Sequence, residues 1–154
     1  MEAVILIGIQ GSGKSTFYQN RFFNTHVRIS LDVLKTRPRE RALLQSCLST
    51  GQPFVVDNTN VTAAERALYI GAARQAGFRV IGYLFEAKLG DALRRNAQRT
   101  GIGKIPAAGV AGTLKRLQRP TPEEGFDELY VVTRNEADQF IVNPWAGAEG
   151  AAHV

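Results

Sequence analysis

A three-layer α/β fold, a parallel sheet of about five strands with helices on both faces, is what this 154-residue sequence predicts, and three features predict it. Apolar, β-branched runs alternate with helix-periodic stretches from the N-terminus onward. A glycine-rich turn joins the first strand to the first helix. Acidic and basic residues fall just after strands, at the carboxyl edge where open parallel sheets collect ligands.

The first strand is Ala3-Val4-Ile5-Leu6-Ile7, and Gly8-Ile9-Gln10-Gly11-Ser12-Gly13-Lys14-Ser15-Thr16 follows it directly. This segment matches G-x-x-x-x-G-K-[ST] in full. Glycines let the backbone turn tightly and aim successive N–H groups at phosphate oxygens; Lys14 adds a mobile cation and Ser15 an oxygen for Mg²⁺. A chance match would leave only a turn with a solvated lysine. The flanking strand and the helix-like run Ser15 to Phe23, with Phe17, Tyr18, Phe22 and Phe23, supply the context that phosphate binding requires. Gly8, Gln10, Gly11, Ser12, Gly13, Lys14, Ser15 and Thr16 are therefore the expected ATP-binding residues.

His26 to Ser30 reads as the second strand, and Arg39 to Thr50 as a helix starting just past Pro38 and stopping at Gly51. Phe54-Val55-Val56 is the third strand and ends on Asp57. Thr62-Ala63-Ala64-Glu65 is a capping box opening a helix that runs to Gly77. Phe78 to Phe85 is the fourth strand, Lys88 to Arg99 a helix, Thr100 to Lys104 a loop, Ala107 to Gln118 a weaker helix, and Glu128 to Thr133 the fifth strand. The domain is expected to span residues 1–144, with a helical lid at roughly 94–106. Residues 145–154, rich in small side chains, are expected to form a flexible tail.

The composition, 44% hydrophobic and 21% charged, fits a soluble domain with one core, and the expectation at this length is a single domain without a second catalytic one. The opening lacks a basic leader and its apolar run is too short for a bilayer, which gives the expectation of a cytoplasmic protein with no membrane partner. Cys47 is the one cysteine, so an intramolecular disulfide is excluded; its leucine neighbours suit a buried helical position. A net charge of +5 favours polyanionic partners without choosing among them.

Four groups of residues carry chemistry. Asp32, just after the second strand, is placed to take the proton of an acceptor hydroxyl, or more simply to cap a following turn. Asp57 has the form of an acidic residue that holds Mg²⁺ through water beside Ser15, in a segment, Asp57-Asn58-Thr59-Asn60, that is also turn-like in its own right. Arg95 and Arg99 stand at i and i+4, with Arg94 alongside; like charges there repel mildly unless an anion lies between them, as a lid over a transferring phosphoryl group would arrange. A solvated basic face is the simpler alternative. Lys35, Arg37, Arg39 and Arg41 form a basic run beyond Asp32, suited to a nucleic acid strand or else to solvent.

Taken together, Gly8 to Thr16, Ile29-Ser30-Leu31-Asp32, Val55 to Asn60, Arg94-Arg95-Asn96-Ala97-Gln98-Arg99 and Arg119-Pro120-Thr121-Pro122-Glu123-Glu124-Gly125-Phe126 resemble the kinase domain of polynucleotide 5′-hydroxyl kinases, most of all the animal DNA-repair form. The resemblance covers nearly the whole chain. It implies a phosphate-loop kinase fold and transfer of the ATP γ-phosphate to a 5′-OH end of DNA or RNA with Mg²⁺. By position it implies Lys14 and Ser15 as phosphate and metal ligands, Asp32 as general base, Arg95 and Arg99 as lid arginines, and Asp57 as a metal residue. Where several relatives carry an arginine soon after the base, this chain has Lys35, with Arg37 and Arg39 beyond. A small-molecule kinase on the same fold and a non-kinase ATP-binding switch are the competing readings. Arg134 to Phe140, after the last strand, is the segment suited to hold adenine, with no single residue marked out, and the oligomeric state stays open.

Overall fold

The computed structural model describes residues 1–98 and 105–146. In chain order the elements are β1 (Glu2–Ile7), α1 (Lys14–Arg21), β2 (Val27–Ile29), α2 (Leu31–Leu34), α3 (Arg37–Thr50), β3 (Phe54–Val56), α4 (Ala63–Gln75) and β4 (Arg79–Phe85). Then come α5 (Leu89–Ala97), α6 (Ala107–Arg116), a 3-10 turn at Pro122–Glu124, β5 (Glu128–Arg134) and β6 (Phe140–Pro144). The sheet order is β2-β3-β1-β4-β5-β6. Every neighbouring pair is parallel except β5 with β6.

The central strand shows why this is a three-layer fold. Ala3, Ile5 and Ile7 point into one core cluster with Cys47, Tyr69, Ile70 and Ala73 from α3 and α4. Val4 and Leu6 point into the other, with Phe17, Tyr18 and Phe22 on and just after α1. Side chains alternate along a strand, so a run apolar at every position must be covered on both faces. Because β1 is flanked by β3 on one side and β4 on the other, the crossovers diverge at its carboxyl end and open a crevice there.

Four differences from the sequence reading have physical causes. Six strands form rather than about five: Asn135 turns the chain back, its side-chain carbonyl accepting from Gln139 N at 2.9 Å, and Phe140–Pro144 runs antiparallel to β5 with Val132 opposite Val142. Proline is tolerated at the end of this edge strand because no further strand needs its missing N–H. Helix α3 starts before Pro38, not after it; Thr36 caps it by accepting from Arg39 N, and proline in a first turn lacks only an N–H that would be unpaired anyway. Asp32 caps nothing: it lies inside the short helix α2, whose N-cap position is Ser30. Trp145, placed in the tail by composition, packs against the core and donates its backbone N–H to Leu129 O at 2.8 Å.

One buried strut fixes the loop after β3. Arg66 of α4 is fully buried; its Nε and Nη2 donate to the two carboxylate oxygens of Glu124 at 2.8 and 3.1 Å, and Nη1 donates to Asn60 O at 2.8 Å. Asn60 in turn donates to Leu6 O at 2.8 Å from a left-handed backbone, φ 49°. Removing one partner of such a pair leaves the other charge desolvated. Arg66→Ala is expected to lower unfolding free energy by about 3–5 kcal/mol, read from urea denaturation. A loss below about 1 kcal/mol would mean that the strut does not hold the fold.

Candidate functional site

The turn after β1 has the shape its glycines demand. Gly13 sits at φ 103°, and a Cβ there would come within 2.5 Å of Arg134 Nη2; Gly11, at φ 78°, would bring one within 2.2 Å of Ala92 O. Gly13 is the N-cap of α1, so the free N–H groups and the positive end of that helix face the loop. The buried Lys14 ammonium reaches back over the loop and donates to Gly8 O at 2.9 Å and Ile9 O at 2.8 Å. Gly8 N donates to Thr59 O at 3.0 Å, tying the loop to the segment after β3. The result is a cradle of backbone donors with a lysine folded across it.

Strand register brings three polar groups together at the start of α1. Ser15 Oγ donates to Asp57 Oδ2 at 2.9 Å. Arg28 Nε donates to the same oxygen at 2.8 Å, and Arg28 Nη2 donates to Ser15 Oγ at 3.0 Å. Arg28 pairs with Val55 across β2 and β3, and Asp57, two residues on, falls on the same face of the sheet, the face that α1 covers. A hydroxyl and a carboxylate are hard oxygen donors that suit Mg²⁺, an ion that keeps several waters and completes its shell with phosphate oxygens. The described residues hold no cluster of three or more acidic, histidine or cysteine ligands, so such an ion would depend on the nucleotide as well.

On the β2 side, Asp32 is exposed on α2. Asn58 anchors that helix, its side-chain carbonyl accepting from Leu31 N at 2.9 Å. The amide of Asn58 donates to the buried Glu40 Oε2 at 2.9 Å, and Tyr69 Oη donates to Glu40 Oε1 at 2.9 Å. Burial and then the Glu40 carboxylate push the Tyr69 hydroxyl up to about 12, so it stays protonated and remains a donor. Arg37 Nη1 donates to Glu40 Oε1 and to Tyr69 Oη at 2.8 and 3.1 Å. A recess of about 120 Å³ opens here, lined by Leu31, Arg37, Asn58, Thr59 and Tyr69 among others.

On the β4 and β5 side lies a cavity of about 640 Å³. It is bounded by Ile9 and Ser12 of the loop, Lys88 and Arg95 near and on α5, Leu114 of α6, and Arg134 and Phe140 of the terminal hairpin. Arg95 Nη1 donates to Gly11 O at 2.9 Å. Burial, and then the Arg134 charge, lower the Arg95 pKa from its ordinary value. Arg134 stacks over Phe140 at 4.3 Å and pairs with Asp138 at 2.9 Å, while its buried Nε has no hydrogen-bond partner among the described residues. The base of the segment expected to form a lid is apolar, with Ala92 and Val110 packed on Ile9. Buried Asn96 closes it by bonding the backbone of Ile105 in both directions.

Of the residues expected from the sequence, the structure groups Gly8 to Thr16, Asp57 and Arg95 around the loop and places Asp32 across the neighbouring strand ends. Arg99 and most of the lid loop lie outside the described residues. Arg37 is held by Glu40 and Tyr69, and Arg39 donates to Leu34 O at 3.3 Å. Lys35 is exposed and sits at φ 74° at the end of α2. Sequence reasoning missed Arg28, Glu40 and Tyr69, and it reached Arg134 only as the start of a segment, Arg134 to Phe140, suited to adenine. A charge in the centre of an otherwise apolar strand, Val27-Arg28-Ile29, was the available signal for the first; the others depend on contacts between distant elements.

The matches to known proteins agree with this geometry. An AAA domain family model matches residues 4–121. The chain belongs to this family. Among curated relatives, a putative bifunctional polynucleotide phosphatase/kinase of Acanthamoeba polyphaga mimivirus is 30% identical over 139 residues, covering 86% of this chain and 33% of that protein. The bifunctional polynucleotide phosphatase/kinase of Schizosaccharomyces pombe is 28% identical over 132 residues, 83% of this chain and 32% of its own length. The chain thus spans about one third of the length of these curated relatives, and the motif-based resemblance to polynucleotide kinases is found again in them. A crystal structure of AvrRxo1-ORF1:-ORF2 with ATP superposes with a TM-score of 0.73 at 14% identity, over 92% of this chain and 57% of that one, a likeness of fold. The nucleotide-binding phosphate-loop kinase fold is therefore in place. No helix among the described residues is long and apolar enough to cross a membrane.

Proposed function

We propose that this chain is an ATP-dependent kinase acting on the 5′-OH end of a polynucleotide. The observation that carries the reading is a pair of openings at the carboxyl edge of the sheet: the larger cavity, which reaches the phosphate loop at Ile9 and Ser12 on the β4 and β5 side, and the recess beside α2, which reaches the segment after β3 that ties to the loop through Thr59 O. Phosphoryl transfer needs a donor and an acceptor on opposite sides of the travelling group. In this reading adenosine occupies the larger cavity beside Arg95 and Arg134, its phosphates lie along residues 8–16, and the strand end enters past Asp32. The curated relatives, both named polynucleotide phosphatase/kinases, favour a nucleic acid as acceptor over a metabolite.

Asp32 takes the proton of the 5′-OH as its oxygen attacks the γ-phosphorus in line; the bond to the β-phosphate bridging oxygen breaks and ADP leaves. Lys14, with Arg95 and Arg99 from the lid, meets the charge spread over the equatorial oxygens. Ser15, and Asp57 through water, would hold Mg²⁺, whose contribution when bound is to neutralise phosphate charge. The Asn58, Glu40 and Tyr69 network holds α2, and so the base, in place. Arg95→Ala is expected to lower turnover about 10²–10³-fold while ATP affinity changes only a few-fold, because its target charge develops in the transition state. Steady-state kinetics check this, and a change confined to ATP affinity would demote Arg95 to a ground-state contact.

Lys35, Arg37 and Arg39 are the substrate-binding residues in this proposal. If they meet about three phosphates of a single strand, oligonucleotide affinity falls with salt at a log–log slope of roughly −2, and each alanine variant flattens it by about 0.7. Salt-independent acceptor binding would remove this run from the substrate path and bring a small neutral acceptor forward.

A further inference from the structure

The ion triangle at the foot of β2 sets a condition on metal binding. Asp57 is a buried carboxylate, its side chain 3% exposed, and a lone charge so placed would be strongly disfavoured. Arg28 supplies the compensating charge, and it does so with two donors on two different groups: Nε on Asp57 Oδ2, Nη2 on Ser15 Oγ. Ser15 spends its hydroxyl proton on Asp57 and one oxygen lone pair on Arg28. These are the same two oxygen-bearing groups that the phosphate-loop reading assigns to a divalent cation. A guanidinium cannot lose its proton at ordinary pH, so the competition cannot be relieved by titration. It can be relieved by movement, since the Arg28 side chain is 29% exposed and its strand lies at the edge of the sheet.

We infer that Arg28 is an internal counter-ion that competes with the divalent cation for Ser15 and Asp57, closing the seat to free metal and yielding it only when nucleotide phosphates arrive with the ion. The inference rests on the reading of Ser15 and Asp57 as the metal-facing pair. Its consequence is thermodynamic coupling: nucleotide and metal each bind better in the presence of the other, and Arg28 enlarges the ratio. Arg28 acts through these two groups and is a positioning residue. The idle enzyme then keeps its buried carboxylate neutralised without a bound ion, and metal entry is tied to substrate entry.

The test reads metal binding directly, without turnover. Mn²⁺ binding by electron paramagnetic resonance, with no nucleotide present, is expected to show only weak association with the wild-type protein. Arg28→Gln, which keeps hydrogen bonding and loses the charge, is expected to bind Mn²⁺ at least about tenfold more tightly, and R28Q/D57N to lose that gain. An R28Q protein that binds Mn²⁺ no better than wild type, or one whose gain survives D57N, overturns the inference. Should R28Q fail to fold by circular dichroism, the Arg28 Nε–H resonance of the wild-type protein provides the second reading. It is expected to shift on adding ATP with Mg²⁺ and to stay in place with either one alone; a shift with Mg²⁺ alone, or none with both, overturns the inference. Failure of the underlying assignment looks different: with ATP present, Mn²⁺ binding that is indifferent to Ser15→Ala and Asp57→Asn shows that the metal sits elsewhere.

Discussion

Lys14→Ala is expected to abolish phosphoryl transfer in a protein that still folds. The ammonium bridges Gly8 O and Ile9 O and lies within the curl of the loop, next to the N-terminus of α1. A γ-phosphate bound there would exchange those two carbonyls for its own oxygens as partners of the same cation. Alanine removes the charge without touching either apolar cluster, since the lysine belongs to neither. Losing a few local hydrogen bonds costs about 1–3 kcal/mol of stability, less than a typical domain holds. Removing a fixed charge from the transition state costs at least about 10²–10³ in rate, and more where the same group also orients the donor. Label transfer from γ-labelled ATP, compared with circular dichroism, separates the two effects. Full activity in a folded variant would falsify the donor-site reading.

The second large effect belongs to Asp32. Asparagine keeps the side chain's shape and loses its capacity to accept a proton, so Asp32→Asn is expected to lower turnover by about two to four orders of magnitude with ATP affinity nearly unchanged. Helix α2 should survive the change, because its anchor is the Asn58 side chain on Leu31 N and its N-cap is Ser30. Stability therefore ought to move by less than about 0.5 kcal/mol, as for exposed substitutions generally. If calorimetry showed ATP binding lost while turnover per bound ATP held, Asp32 would be a donor-site residue instead of a base.

What could be read from the sequence divides along a physical line. Local signals were enough for β1, the phosphate loop and the cap of α4, where Thr62 accepts from Glu65 N at 3.1 Å as expected, although the Glu65 carboxylate takes Val61 N, one residue earlier, and so does not close the full capping box. Each depends on residues within one turn or one strand. The sixth strand escaped because Phe140 to Pro144 is short, polar at Asn143 and ends in proline; only pairing with β5 makes it a strand. In the site, the loop and Asp57 were legible since each ends an apolar run. Arg28 was not, because its role appears only once the register sets it opposite Val55 and beside Asp57. Arg134 likewise reaches the loop only through the hairpin that sequence periodicity left unassigned. The basic run was read as facing a nucleic acid strand or else solvent, yet Arg37 and Arg39 also serve the fold through Glu40, Tyr69 and Leu34 O.

Transfer of labelled γ-phosphate from ATP tests the central claim most directly, with an oligonucleotide bearing a 5′-OH, the same oligonucleotide bearing a 5′-phosphate, and a panel of sugars and nucleosides offered side by side to wild type and Asp32→Asn. The account predicts label on the 5′-OH oligonucleotide, none on its 5′-phosphorylated twin, little on the small molecules, and loss of transfer in the variant. Label appearing on a small molecule and not on the oligonucleotide, or equal labelling by the Asp32→Asn protein, would contradict it.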